Sequence, residues 1–225
     1  MENDKYFLKV MTYNIHSGKN ILMRPQLAKI IDFLKKEQVH IIGMQEINEN
    51  NKRGSQVSNI KNDLQMNHSF APNVKIGDGY YGVSICTSFE IIEVNHIPLP
   101  SKKEQRGLIH TVLKVGNKEL NILNTHLGLN TNYRTKQFEK IEKYLKSINS
   151  PFILMGDFNT TNPQFNNIPM IDTAKKMNKT HLSTFMCSSK RIDYIFASKS
   201  IQVLNYNVIP VKMSDHYPVI VEMLM

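Results

Sequence analysis

The chain reads as one α/β domain, and three observations predict it. Runs rich in β-branched and aromatic residues recur along its whole length, as strands do. Between some of them lie segments whose apolar residues repeat at helical spacing. And 225 residues with no linker, repeat or low-complexity tract suit one large domain, residues 1–225, better than two small ones. At 41% hydrophobic and 21% charged residues the composition is that of an ordinary globular protein. A chain this long buries roughly 70% of its unfolded surface, so it needs no disulfide or structural metal to fold.

The elements follow in order. "KYFLKVMTYNIH" predicts a strand ending in polar Asn14 and His16. In "RPQLAKIIDFLKK", Leu27, Ile30, Ile31 and Leu34 define a one-faced helix. "VHIIGMQEIN" is a short apolar strand ending in Gln45 and Glu46, and the polar stretch from Asn48 to Ser58 reads as a loop leading into a short helix. "SFAPNV", "GVSICTSF", "EIIEVNHIPL" and "GLIHTVLKV" are strands, and the turn "VGNKE" carries the last of them into "LNILNTHLGL" as a hairpin. "TNYRTKQFEKIEKYLKSI" is an amphipathic helix burying Phe138, Ile141 and Leu145, with a solvated face on which Glu139 and Lys143 form an i,i+4 pair. "PFILMGDFN" returns to a strand, an irregular polar stretch runs from Thr160 to Lys190, and "RIDYIFAS", "IQVLNYNVIP" and "YPVIVEML" close the chain as strands.

Cys86 and Cys187 are far apart and in no metal-ligand spacing, a usage that suits a reducing cytoplasm. "MENDKYFLKV" has no apolar stretch, so no secretory signal is expected, and no apolar run approaches ~20 residues, so neither is a membrane span. We expect a cytoplasmic monomer. The net charge of +9, from 28 basic against 19 acidic residues, favours polyanionic partners such as nucleic acid, anionic lipid or phosphorylated metabolites. The basic residues are spread along the chain, so a merely basic soluble protein fits as well.

The chemistry is carried by where polar groups fall. Asn14, Glu46, His126, the pair Asp157 and Asn159, and Asp193 all sit at the ends of apolar strands or within them, and "SDHYPV" puts Asp215 and His216 just before the last strand. A carboxylate such as Asp157 is costly to desolvate at the end of a core strand unless something pairs with it. Either that strand has reached the surface, or Asp157 meets a metal or handles a proton. Hard carboxylate oxygens suit Mg²⁺ or Mn²⁺, and histidines oriented by carboxylates suit phosphate binding and proton traffic near neutral pH. No zinc spacing, glycine-rich phosphate loop, dinucleotide fingerprint or G-x-S-x-G elbow is present, which leaves covalent serine or cysteine catalysis with little support.

"TYNIH", "QEIN", "NTHLG", "GDFN", "RIDYIF" and "SDHYPV" occur in the order and spacing of the endonuclease/exonuclease/phosphatase superfamily, which the chain resembles from Met11 to Val219. The resemblance implies a four-layer α/β sandwich, two packed mixed β-sheets flanked by helices as in deoxyribonucleases, with the site at one end of the sheets. It also implies roles, in a hydrolase dependent on Mg²⁺, with Mn²⁺ a substitute. Glu46 looks like the principal metal ligand, with Asn14 beside it and Asp215 helping. Asp157 would position and deprotonate the attacking water, and Asn159 would hold the scissile phosphate. His216, oriented by Asp193, would donate to a phosphate oxygen, and His126 would contact the phosphate or the leaving oxygen. Tyr80 and Tyr81 stand where secreted deoxyribonucleases carry a carboxylate supporting the first histidine. Arg106 could reach a phosphate, or lie exposed beside a strand start.

The expected substrate is a phosphate ester. A nuclease fits the positive charge and the cluster Lys175, Lys176, Lys179, Lys190 and Arg191, but the chain has no tryptophan and no evident long insertion to wedge into a duplex. A phosphodiesterase or phosphatase of a small phosphorylated molecule or lipid headgroup fits the compact length, although nothing resembles the hydrophobic insertions of a lipid-surface enzyme. A non-catalytic polyanion binder would have lost one of Glu46, Asp157, Asn159 or His216, and all four are present.

Overall fold

The computed structural model describes residues 5–225; residues 1–4, part of the segment read as lacking a signal, lie outside the described residues. In chain order the elements are β1 (Phe7–Asn14), α1 (Leu27–Glu37), β2 (Ile41–Asn50), β3 (Gly54–Ser55), α2 (Gln56–Leu64), β4 (Asn67–Ile76), β5 (Gly79–Thr87) and β6 (Glu90–Leu99). There follow β7 (Arg106–Val115), β8 (Lys118–His126), α3 (Thr131–Leu145), β9 (Phe152–Asp157), β10 (Met170–Asp172), α4 (Thr173–Lys176), β11 (Asp193–Ser198), β12 (Gln202–Val208) and β13 (Val219–Leu224).

The strands build two mixed sheets, β12-β13-β1-β2-β5-β4 with β3 on β2, and β10-β11-β9-β8-β7-β6. Each has one parallel pair, β1 with β2 and β8 with β9, joined by crossovers through α1 and α3. Read as β6-β7-β8-β9-β11-β10, the second sheet repeats the strand plan of the first, so the two parallel pairs occupy equivalent central places.

Alternation along the strands sets the layers. Leu8 and Val10 of β1, Ile41 of β2, Ile122 of β8, Ile153 and Met155 of β9 and Ile195 of β11 join the cluster between the sheets. Their neighbours Met11, Tyr13, Ile42 and Met44 face outward and pack with Ile30, Ile31 and Leu34 of α1 and Ile60 of α2. On the far side Leu123, Phe152, Leu154 and Tyr194 pack with Phe138, Ile141 and Leu145 of α3. Helix, sheet, sheet and helix thus make the four layers that the resemblance implied.

Some elements differ from the sequence reading: β2 runs on to Asn50, into the stretch read as a loop from Asn48. The stretch from Thr160 to Lys190 is not wholly irregular, because Met170–Lys176 add β10 to the sheet edge and a single turn of helix. On α3 the ion pair is Glu142 with Lys146 (2.9 Å), since Glu142 also accepts the Asn166 amide and is held in place by it.

His68, in the outer layer on β4, has a buried Nε2 with no hydrogen-bond partner. Burial, aided by the charge of Lys61 and opposed by Glu49, pushes its pKa down to about 4. The unfolded chain takes up this proton at its ordinary value near 6.5, and the folded chain only near 4. Stability therefore falls as the pH is lowered through that window, by up to about 3 kcal/mol from this group. Urea unfolding at pH 7 and pH 4.5 should show a smaller acid loss for His68→Leu than for wild type; equal losses would remove His68 as the cause.

Candidate active site

Inward-facing positions carry the cluster. Val10 and Thr12 lead to Asn14 on β1, Ile122 and Asn124 to His126 on β8, and Ile153 and Met155 to Asp157 on β9, with two residues per step. Because β8 and β9 run parallel, His126 stands beside Asp157 in register. Asp193 opens antiparallel β11 directly opposite Asp157. The inter-sheet layer thus changes from apolar to polar at one pole, where both parallel pairs end.

Beneath the cluster lies a buried amide network that the sequence did not single out. Gln45 Nε2 donates to Asn124 Oδ1 (2.6 Å) and Thr12 Oγ1 (3.0 Å), and Asn124 Nδ2 donates to the Met44 and Ser84 carbonyls (2.9 Å each). It ties the two sheets together under the site. The alternation of Thr12 with Asn14, and of Asn124 with His126, was the available signal.

Backbone exceptions aim three of the residues. Gly156 has φ 144°, and a Cβ there would run into the Thr125 carbonyl oxygen, so only glycine can precede Asp157 in this geometry. Glu46 is not at the end of its strand. It sits at a bulge where the β2–β5 register shifts between Gln45 and Ile47, with φ 58°, and this extra residue turns its side chain out of the alternation. Asn159 has φ 50°; its backbone N–H donates to Asp157 Oδ1 (2.9 Å) and its Nδ2 to the Leu127 carbonyl (2.9 Å).

Asp157 is the centre, only 1% exposed. Asn14 Nδ2 donates both to Asp157 Oδ2 and to Glu46 Oε1, at 3.1 Å each, while Asn14 Oδ1 accepts the His16 N–H. Two ring nitrogens approach the same Asp157 Oδ2, His126 Nε2 at 3.4 Å and His216 Nε2 at 3.6 Å. Burial pushes the Asp157 carboxyl up to about 7; the charge of His216 opposes the rise and that of Asp193 adds to it.

The histidines are held in opposite ways. His216 Nδ1 donates to Asp193 Oδ2 (2.9 Å), and although burial disfavours its charge, the Asp193 and Asp157 carboxylates outweigh burial and raise its pKa. His216 is therefore protonated at neutral pH, with Nε2–H directed at Asp157. His126 Nδ1 instead receives Arg106 Nη1 (2.9 Å), a group that can only donate. That partner fixes the tautomer with the proton on Nε2, facing Asp157. Burial, then Arg106 and His216, hold the His126 pKa well below the ordinary value, so this ring stays neutral.

Arg106 is not exposed: it is 8% accessible and also pairs with Glu104 (2.8 Å). Its charge also acts on the Tyr81 hydroxyl, so Tyr81 neighbours the arginine that holds His126. Asp215 lies further out, 3.6 Å from His16 Nδ1. Arg191 of the expected basic cluster is committed to the fold, forked onto Asp172 (2.9 and 2.7 Å) and stacked on Tyr194. Sequence reasoning also missed Thr184, whose Oγ1 accepts the Ile192 and Asp193 amides and so fixes the start of β11.

The donor set suits a hard cation. Glu46 and Asp157 share one amide donor, and among the described residues no lysine or arginine pairs with Glu46. Asp157, Asp193 and His216 each bring a ligand atom within 4.8 Å of the others, a group that could itself hold a metal ion only with the loss of a proton from the His216 ring.

The fold and the cluster define a class, and comparison with known proteins agrees. The chain belongs to the Endonuclease/Exonuclease/phosphatase family, whose model matches residues 11–216. It is similar in structure to an endonuclease/exonuclease/phosphatase from Beutenbergia cavernae DSM 12333, with TM-score 0.80 and 19% identity over 96% of this chain and 71% of that one. It is also similar to D. rerio TDP2 complexed with a single-strand DNA product (0.79, 17%, 96% and 98%). A third neighbour is a mannosyl-6-phosphatase of Bacteroides thetaiotaomicron VPI-5482 (0.75, 20%, 97% and 100%). No curated protein matches the sequence significantly.

Proposed function

We propose that the protein is a divalent-metal-dependent phosphoesterase that hydrolyses a phosphodiester, or a phosphomonoester, by in-line attack of an activated water. One observation carries the reading. A buried carboxylate, Asp157, is left without a full counter-charge where a neutral and a protonated histidine both present Nε2–H.

In this reading Asp157 orients the water and takes its proton as the water oxygen bonds to phosphorus. The ester P–O bond opposite breaks, and its oxygen takes a proton from solvent while His126 Nε2–H hydrogen-bonds to it without giving up its own proton. His216 Nε2–H and Asn159 bind phosphoryl oxygens, where charge builds, and preorganised donors of this kind are worth most in a site from which water is excluded. Arg106 holds the His126 ring so that Nε2–H faces inward. Glu46, with Asn14 and Asp215 near it, would hold Mg²⁺ or Mn²⁺, which when bound supplies positive charge to the phosphate oxygens.

The family name and the neighbours favour phosphate esters and leave the ester open: a DNA product accompanies one neighbour and a sugar phosphate is in the name of another. The test is hydrolysis of bis(p-nitrophenyl) phosphate and nicking of supercoiled plasmid, each with Mg²⁺, with Mn²⁺ and with chelator. Glu46→Ala should abolish the metal-dependent part of both while unfolding at the wild-type urea midpoint. Near wild-type rates would take the metal away from Glu46.

A further inference from the structure

The connection from β1 to α1 bears a feature the reaction does not use. Ile21, Leu22 and Met23 stand in a row at its tip, 45%, 66% and 57% exposed. Single exposed aliphatics are ordinary on a protein surface, but three in succession at one tip are not. The tip is built rather than loose. Asn20 Oδ1 accepts the Leu22 and Arg24 amides (3.0 Å each), Met23 N–H donates to the Asn20 carbonyl (2.8 Å), and Lys19 bridges Pro25 at its base. Gln26 N–H donates to the Gly18 carbonyl (2.8 Å), closing the loop onto α1.

This loop leaves the C-terminal end of β1, the pole at which Asn14 meets Asp157. Leu129, 77% exposed, follows the end of β8 at the same pole. The connections at this pole also carry Lys19 and Arg24, Lys52 and Arg53 after β2, and Lys102 and Lys103 before β7. None of the six forms an ion pair among the described residues. The acid beside the last pair, Glu104, is taken by Arg106.

We propose that this pole docks on an anionic bilayer surface, the aliphatic tip entering the headgroup–acyl boundary and the basic residues meeting the lipid charge. The inference rests on the phosphoesterase reading, and deepens it to a phosphate ester in a lipid headgroup presented to the cluster around Asp157. Charge alone would suit nucleic acid equally, and the tip decides between the two. Ile, Leu and Met side chains offer no flat ring to stack on a base, and phosphate backbone gains nothing from them. They gain free energy only on transfer out of water, as at an acyl boundary, where basic neighbours near an anionic surface add to the attraction. A tip already locked by Asn20 loses little entropy on docking. No helix among the described residues is long and apolar enough to cross a membrane, so this is contact with one leaflet. The sequence alone showed no hydrophobic insertion, because a run of three apolar residues and a lone Leu129 do not stand out until the fold exposes them and brings their connections to one end.

The test is flotation of the full chain with vesicles of phosphatidylcholine alone, and of equal parts phosphatidylcholine and phosphatidylglycerol. Wild type should float with the anionic vesicles only. The Leu22→Ser/Met23→Ser variant should lose at least about tenfold in partitioning, ~1.4 kcal/mol, with its rate on soluble bis(p-nitrophenyl) phosphate unchanged. Absence of flotation by wild type, or equal flotation by the variant, overturns the proposal. So does an equal tenfold loss in binding to a single-stranded oligonucleotide, which would make the tip a nucleic-acid contact. Flotation needs no turnover: vesicle binding without any ester hydrolysis would refute the phosphoesterase reading and leave the docking standing, and the converse result would do the reverse.

Discussion

Asp157→Asn is expected to lower turnover on a soluble phosphodiester by at least about 10³-fold, ~4 kcal/mol of transition-state stabilisation, while the protein still folds. The amide keeps the shape of the side chain and cannot accept a proton. Its effect on stability is a balance of two terms. Asp157 accepts from Asn159 N–H through Oδ1 and from Asn14 through Oδ2, so asparagine, with one acceptor, gives up one of these bonds. Against this, burial raises the carboxyl to about 7, so as pH rises from the ordinary carboxylate value through that pKa the folded state takes on a penalty that stays in full above it and that the amide does not carry. The two terms oppose one another, and the urea midpoint at pH 8 should stay close to wild type. A folded variant that retains a tenth or more of the rate would remove Asp157 as the group that takes the proton from water.

His216→Ala is expected to cost about 10³-fold in turnover, the scale of removing a preorganised donor from a site that excludes water. The ring is fixed from behind by Asp193 at 2.9 Å and faces Asp157 at 3.6 Å. Its truncation removes the only protonated ring in the cluster and leaves two carboxylates near each other without it. Asp193→Asn should follow in the same direction by a smaller factor, since the ring would remain but lose the carboxylate that keeps it charged. A loss of less than about tenfold for His216→Ala would make the residue structural, because a single positioning hydrogen bond is worth only about that much.

Much of the site could be read from the strands themselves. Alternation along "PFILMGDFN" puts Asp157 on the face of Ile153 and Met155, and "LNILNTH" puts His126 on the face of Ile122. The expected pairing of His216 with Asp193 is present in the structure at 2.9 Å. Glu46 was placed at a strand end, whereas β2 runs on to Asn50 and a bulge re-aims the residue. No spacing signals a bulge, since it depends on how the partner strand β5 registers against β2. Arg106 was left between phosphate contact and exposed surface, and the fold buries it against His126 across the β7–β8 ladder.

Local order was therefore the sequence's to determine: which runs are strands, which face of each is apolar, and which polar residues close them, because periodicity and burial act within a few residues. The tertiary structure alone decided the opposite settings of His126 and His216, the direction of Glu46 and the placing of Ile21, Leu22, Met23 and Leu129 at one pole. Those depend on partners distant in sequence. The tautomer of His126 follows from whether a donor or an acceptor meets Nδ1, and that partner arrives from a neighbouring strand whose register only the packed sheet fixes.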